Sequence, residues 1–127
     1  MAVTVLMVDD SKLARIVAGK AIAALQPDWT RVEAGNAADA LEIVGSRHID
    51  VAVLDFNMPD KDGLELAKEL RALHPNMPIA VITANVQDEI IAAVRALNGT
   101  FVAKPVTEEA LSGFIFGAAL RLRTAGL

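Results

Sequence analysis

The 127-residue sequence predicts an α/β fold, a doubly wound sheet of five parallel strands, on three observations. Short apolar runs alternate with amphipathic stretches five times along the chain. Runs such as "VAVL" (Val51 to Leu54) and "IAVI" (Ile79 to Ile82) are apolar without a break, as in strands covered on both faces. Every run except the second is followed at once by an acid, a hydroxyl or a lysine.

Val3 to Val8 reads as the first strand. Ser11 is a suitable N-cap for a helix from Lys12 to Leu25, stopped near Pro27. Thr30 to Ala34 is a second, weaker strand. Asn36 caps a helix in which Ala37, Ala40, Leu41 and Val44 fall at i, i+3, i+4 and i+7. Val51 to Leu54 is the third strand, followed by the loop "DFNMPDKDG" and a helix carrying Leu66, Leu70 and Leu73. Ile79 to Ile82 is the fourth strand. Val86, Ile90, Val94 and Leu97 mark the next helix, closed by Asn98-Gly99. Thr100 to Ala103 is the fifth strand, and Thr107 caps a last helix with Leu111, Phe114, Ile115, Ala118 and Leu122 on one face. Right-handed crossovers restrict how such units connect. Five of them give a flavodoxin-like (βα)5 sheet of order 2-1-3-4-5, which binds ligands beyond the carboxyl ends of the strands, where the order reverses.

No linker or repeat interrupts the chain, so residues 1–127 are expected to form a single domain. Apolar residues make up 54% of the sequence, yet no unbroken apolar run is long enough to span a membrane. The net charge of −4 argues against nucleic acid or anionic lipid as a direct partner. There is no cysteine, which excludes disulfides and thiolate metal sites. The start "MAVTVLMV" lacks the basic residues of a signal peptide. A soluble cytoplasmic protein, with no membrane insertion, is expected.

The strand ends carry the chemistry. The first strand delivers Asp9 and Asp10, the third Asp55, the fourth Thr83 and the fifth Lys104. Two unit charges roughly 4 Å apart repel by about 4 kcal/mol at an effective dielectric of about 20. Three carboxylates in one mouth are tolerable when a cation sits among them. Oxygen donors without sulfur or histidine suit a hard divalent ion, and few protein ligands favour Mg²⁺ over Ca²⁺. A carboxylate in such a site can attack phosphorus, while the metal and a lysine neutralise the phosphoryl oxygens. Asp55 is the candidate nucleophile, because it opens a loop and has no adjacent acid.

The segments "VDDS" (Val8 to Ser11), "VLDFNMPDKDG" (Val53 to Gly63), "VITAN" (Val81 to Asn85) and "FVAKP" (Phe101 to Pro105) together resemble the receiver domains of two-component response regulators. The resemblance covers essentially the whole chain, with every motif in order. It implies that Asp55 is the phosphoacceptor and that Mg²⁺ is held by Asp10, Asp55 and the backbone carbonyl of Asn57, with Asp9 acting through water. It implies a phosphoryl-sensing role for Thr83 and Lys104, and a switch role for Phe101, which stands where many members have tyrosine. It also implies a cis bond before Pro105. Asn57, Ala84 and Asn85 border the access to the phosphoryl group and should influence its lifetime.

The function so implied is a phosphorylation-dependent switch, not an enzyme beyond its own phosphorylation and dephosphorylation. The phosphoryl donor would be a sensor histidine kinase or a histidine phosphotransfer protein. The output would be a face made by the fourth helix, fifth strand and fifth helix that binds a downstream protein. The stretch "DDSKLAR" resembles the chemotaxis subgroup, and a stand-alone chemotaxis-type receiver is the favoured reading. A phosphorelay intermediate, or a receiver excised from a longer regulator, is the alternative. A Mg²⁺-dependent phosphatase of the haloacid dehalogenase type is less well matched, since Asp55 is followed by Phe56 and Asn57, not by an acid two residues on. A flavodoxin-like nucleotide binder would need a glycine-rich or Ser/Thr-rich phosphate loop after the first strand. Asp60 and Asp62 read as turn and cap residues, His48 and His74 as surface residues, and Trp29 as partly buried packing.

Overall fold

The computed structural model describes residues 2–84 and 87–124. Its elements are β1 (Thr4–Val8), α1 (Lys12–Leu25), β2 (Thr30–Ala34), α2 (Ala37–Ser46), β3 (Val51–Asp55), α3 (Gly63–Leu73), β4 (Ile79–Thr83), α4 (Asp88–Ala96), β5 (Thr100–Ala103) and α5 (Glu108–Thr124). The five strands form one parallel sheet of order β2-β1-β3-β4-β5. The predicted order and fold class are therefore observed. Asn85 and Val86, named above for access and for the fourth helix, lie outside the described residues.

Strand periodicity explains the two-layered core. Successive side chains of a strand point to opposite faces. Val5 and Met7 join Ile22, Leu111 and Ile115 under α1 and α5, while Leu6 and Val8 join Ala40, Leu66, Leu70 and Val94 under the other helices. Val51 to Asp55 and Ile79 to Thr83 are buried throughout, so the central strands read as unbroken apolar runs.

The caps form as their residue types dictate. The side chains of Ser11, Asn36, Asp62 and Thr107 each accept the backbone N–H three residues on. Asn98 takes a left-handed φ of 59° and Gly99 donates to Val94 O at 2.9 Å, closing α4 as its Asn-Gly signal predicts. Two side chains depart from the expected pattern. Leu73 is 59% exposed, because α3 ends there and carries it past the sheet. Trp29 is buried outright, within the α1–α5 layer.

The rim opposite the carboxyl ends is tied by polar groups that carry no sequence motif. Buried Asp50 accepts the Thr4 N–H at 2.9 Å and lies 2.6 Å from the exposed His48 ring. Arg71 donates to the carbonyls of Met77 (2.7 Å), Leu97 (2.8 Å), Pro75 (3.0 Å), His74 (3.2 Å) and Asn98 (3.3 Å). One guanidinium thus joins the end of α3, the approach to β4 and the turn between α4 and β5. No helix among the described residues is long and apolar enough to cross a membrane.

Arg71→Ala strands several carbonyls at once and is expected to cost about 2–4 kcal/mol of unfolding free energy, with Arg71→Lys recovering part of it. Urea denaturation of the three proteins measures this; a loss under about 0.5 kcal/mol, the range of ordinary surface substitutions, would contradict the assigned role.

Candidate functional site

Parallel strands place all their carboxyl ends on one edge, and that edge gathers the expected residues. Asp55 is the last residue of β3 and 4% exposed. Asp9 and Asp10 follow β1 immediately, the first half-buried and the second exposed. Each of the three offers a carboxylate oxygen, and these oxygens all lie within 4.8 Å of one another. Thr83 ends β4, fully buried. Lys104 follows β5, donates its backbone N–H to Thr83 O at 3.0 Å, and sets its ammonium 2.9 Å from Asp55 Oδ1. The Lys104-Pro105 bond is cis, as the resemblance implied.

Local geometry holds each acid in place. Asp9 Oδ1 accepts the Ser11 N–H at 2.9 Å, so it turns the chain into α1. Asp9 O accepts from Arg15 Nη1 at 2.5 Å, and Arg15 Nε pairs with Glu33 on β2 at 2.8 Å. After Asp55, the Phe56 N–H returns to Ile82 O at 2.8 Å and the Gly63 N–H to Phe56 O at 2.9 Å. The loop is closed so tightly that a Cβ on Gly63 would collide with the Asp55 carbonyl. Glycine is required there by space, although it opens a helix. Asp60 is exposed and Asp62 is the α3 cap, the roles expected of them.

The remaining candidates surround the acids at different depths. Asn57 and Ala84 are exposed beside the mouth. Phe101, opposite Val81 in the β4–β5 register, is partly buried against the layer under α2, α3 and α4. Arg15 and Gly63 were not singled out from sequence. For Gly63, a glycine directly after the cap of a helix was a usable signal; Arg15 had none, since its partners are a backbone carbonyl and an acid on a different strand, Glu33. A cleft of about 500 Å³ lies on the opposite rim among His48, Asp50, His74 and Arg121 and shares no residue with the site.

The electrostatics are unbalanced. Three acids face one ammonium. Burial pushes the Asp55 carboxyl above its ordinary 3.8, Lys104 opposes the shift, and Asp10 adds to it. Asp9 is raised too, by burial first, with the Ser11 N–H opposing and the Asp55 charge adding. Lys104 is raised above 10.5, chiefly by its bond to Asp55. Apart from the Lys104 ion pair, the buried Asp55 Oδ1 has no hydrogen-bond partner among the described residues. Three clustered carboxylates with hard oxygen donors, offset by one ammonium, fit a divalent cation such as Mg²⁺.

The pH dependence follows from those directions. Raised folded-state values for Asp9 and Asp55 mean that, above 3.8, the folded protein holds protons the unfolded chain has lost. The stability they contribute therefore falls as pH rises through those values. Lys104 contributes stability that is full below 10.5 and lost as pH rises through its folded value. Asp9→Asn keeps an acceptor for Ser11 while removing a charge. In chelator at pH 7 it is expected to stabilise the protein by up to about 1 kcal/mol, discounted for partial exposure, and the gain should vanish near pH 4. Thermal unfolding at the two pH values measures it; equal gains at both would show that charge is not the cause.

Comparison with known proteins agrees with this geometry. Residues 5–115 match the family model described as the response regulator receiver domain. The chain is similar to the probable transcriptional regulatory protein TcrX of Mycobacterium tuberculosis, 34% identical over 109 residues that make up 84% of this chain and 45% of that protein. It is similar to the cyclic di-GMP phosphodiesterase response regulator RpfG of Xanthomonas campestris pv. campestris, 36% identical over 110 residues, 84% of this chain and 29% of that protein. The chain thus spans less than half the length of these curated relatives. Among solved structures it is similar to the chemotaxis protein CheY4 of Vibrio cholerae, with a TM-score of 0.83 at 25% identity, covering 93% of this chain and 99% of that one.

Proposed function

The chain belongs to the response regulator receiver domains of two-component signalling, and on that premise we propose that residues 1–127 act as a single receiver domain switched by phosphorylation of Asp55. The observation that carries this reading is the buried Asp55 carboxylate beside the Lys104 ammonium, 2.9 Å away, in a cluster with Asp9 and Asp10.

Asp10, Asp55 and the Asn57 backbone carbonyl would hold Mg²⁺, with Asp9 supporting it through water. The ion supplies charge neutralisation for the phosphoryl oxygens. Every other contribution comes from the chain. A carboxylate oxygen of Asp55 attacks the phosphorus of a partner's phosphohistidine; the O–P bond forms, the N–P bond breaks, and the imidazole leaves with the bonding pair and takes up a proton. Lys104 holds its charge at neutral pH and neutralises a phosphoryl oxygen, which is most of what phosphoryl transfer needs. Hydrolysis returns the carboxylate, and Asn57, Ala84 and Asn85 govern how readily water reaches the phosphorus.

Output runs through Thr83. Its hydroxyl turns toward the phosphoryl group and Phe101 fills the space behind, which alters the face formed by α4, β5 and α5. A partner that binds one arrangement better then reads the phosphorylation state. The phosphoryl donor is a sensor histidine kinase or a histidine phosphotransfer protein, the target is another protein, and the setting is the cytoplasm. The likeness to a chemotaxis protein supports chemotaxis-type use.

Incubation with Mg²⁺ and acetyl phosphate, followed by intact-mass measurement, is expected to add one phosphoryl group. Asp55→Asn or a chelator should abolish the gain. An undiminished gain in Asp55→Asn would overturn the assignment. Thr83→Ala is expected to accept the phosphoryl group to a similar extent, while amide resonances of α4, β5 and α5 stay near their unphosphorylated positions. Wild-type shifts in that variant would remove Thr83 from the route.

A further inference from the structure

The two neighbouring acids at the end of β1 are held very differently. Asp9 is fixed at its N–H, its carboxylate and its carbonyl. The N–H donates to Ala34 O on β2 at 3.1 Å, and the carboxylate accepts the Ser11 N–H at 2.9 Å. The carbonyl accepts from Arg15 Nη1, which reaches back from α1, at 2.5 Å. Asp10 is exposed, and among the described residues nothing donates to its carboxylate. Its direction is therefore set by the backbone that carries it.

That backbone is a rigid unit at the critical point. The peptide group between Asp9 and Asp10 is planar, so its carbonyl and the Asp10 N–H turn together. Rotating the plane displaces the Asp9 carbonyl, changes φ of Asp10 and re-aims the Asp10 side chain. Among the described residues, Arg15 is the side chain that holds this plane by its oxygen. Arg15 is itself well fixed. Its side chain is only 16% exposed, and its Nε pairs with Glu33 Oε1 at 2.8 Å. An exposed ion pair adds little stability, but a planar guanidinium engaged on two nitrogens defines a direction. The Arg15 fork thus runs from the edge strand β2 to the one carbonyl that orients Asp10.

We propose that Arg15 is a positioning residue for the metal site: its bond to the Asp9 carbonyl fixes the Asp9–Asp10 peptide and so aims the Asp10 carboxylate into the acidic cluster. The proposal rests on the reading of Asp10 as a Mg²⁺ ligand. A role through charge would have the opposite sign. A cation near three acids competes with a metal ion, so removing it would tighten metal binding. The Arg15 charge is already met by Glu33, and the charges that act most on the Asp9 carboxyl are those of Asp55, Lys104 and Asp10. Position also leaves a distinct mark. Mg²⁺ accepts little departure from an octahedral set of oxygens, whereas Ca²⁺ tolerates irregular ones. Loss of aim therefore weakens Mg²⁺ more than Ca²⁺. Partial unfolding would weaken both ions by the same factor.

Titration of wild type, Arg15→Met and Arg15→Lys with MgCl₂, and separately with CaCl₂, tests this. Binding is followed through the amide resonances of Asp9 to Ser11 and Asp55, and dispersed core resonances show that each variant is folded. Methionine keeps an unbranched stem for packing while removing every donor. Arg15→Met is expected to weaken Mg²⁺ binding about 10-fold, the effect of losing a group that orients a metal ligand from behind. Its Ca²⁺ binding should weaken less than about threefold. Arg15→Lys keeps a donor for the Asp9 carbonyl but loses the fork, so its Mg²⁺ affinity should lie between those of wild type and Arg15→Met. Mg²⁺ binding in Arg15→Met that equals or exceeds wild type would overturn the proposal, as would losses of equal size for the two ions. Either result leaves the metal reading of the site standing. Wild type that takes up no Mg²⁺ at millimolar concentrations would overturn that reading and the proposal together.

Discussion

The Asp55–Lys104 pair is the constraint around which the rest of the molecule is arranged. It joins a buried carboxylate at the end of β3 to an ammonium just beyond β5, across the intervening β4. A parallel sheet is the simplest way to bring such residues together, because it delivers every carboxyl end to one edge. The pair does not balance the site. Asp9 and Asp10 add charge, and burial keeps the Asp55 and Asp9 carboxyls reluctant to ionise. The fold sustains this tension because two apolar layers grip the strands that carry the acids.

The backbone around the acids is held from several sides. Gly63 and the Ile82 carbonyl clamp the backbone on either side of the Asp55 loop. Arg15 fixes the carbonyl of Asp9. Helix α4 differs. Among its described residues only Val94 is fully buried, and its N-cap Gln87 makes no side-chain capping bond. Its far end is tied by Arg71 through Leu97 and Asn98.

Much of this was legible in the sequence. The alternation of apolar runs and amphipathic stretches gave five β–α units, and the cap residues Ser11, Asn36, Asp62 and Thr107 gave the helix starts, because both are local effects of backbone geometry. Asp9, Asp10, Asp55, Thr83 and Lys104 could be read as one group once the sheet was taken as parallel, since strand ends then share an edge. Other features were decided only by tertiary structure. Arg71 acts on backbone carbonyls, and every residue has a carbonyl, so no partner type marks it; Arg15 joins the Asp9 carbonyl to Glu33 on β2, a pairing that only the packing of α1 on the sheet creates. Leu73 fits the helical period but is exposed, because exposure depends on where the helix ends relative to the sheet. The 2.9 Å between Asp55 and Lys104 depends on strand registers set by side chains far along the chain. Periodicity and residue type act over a few positions, whereas distance and burial arise only when separate segments pack.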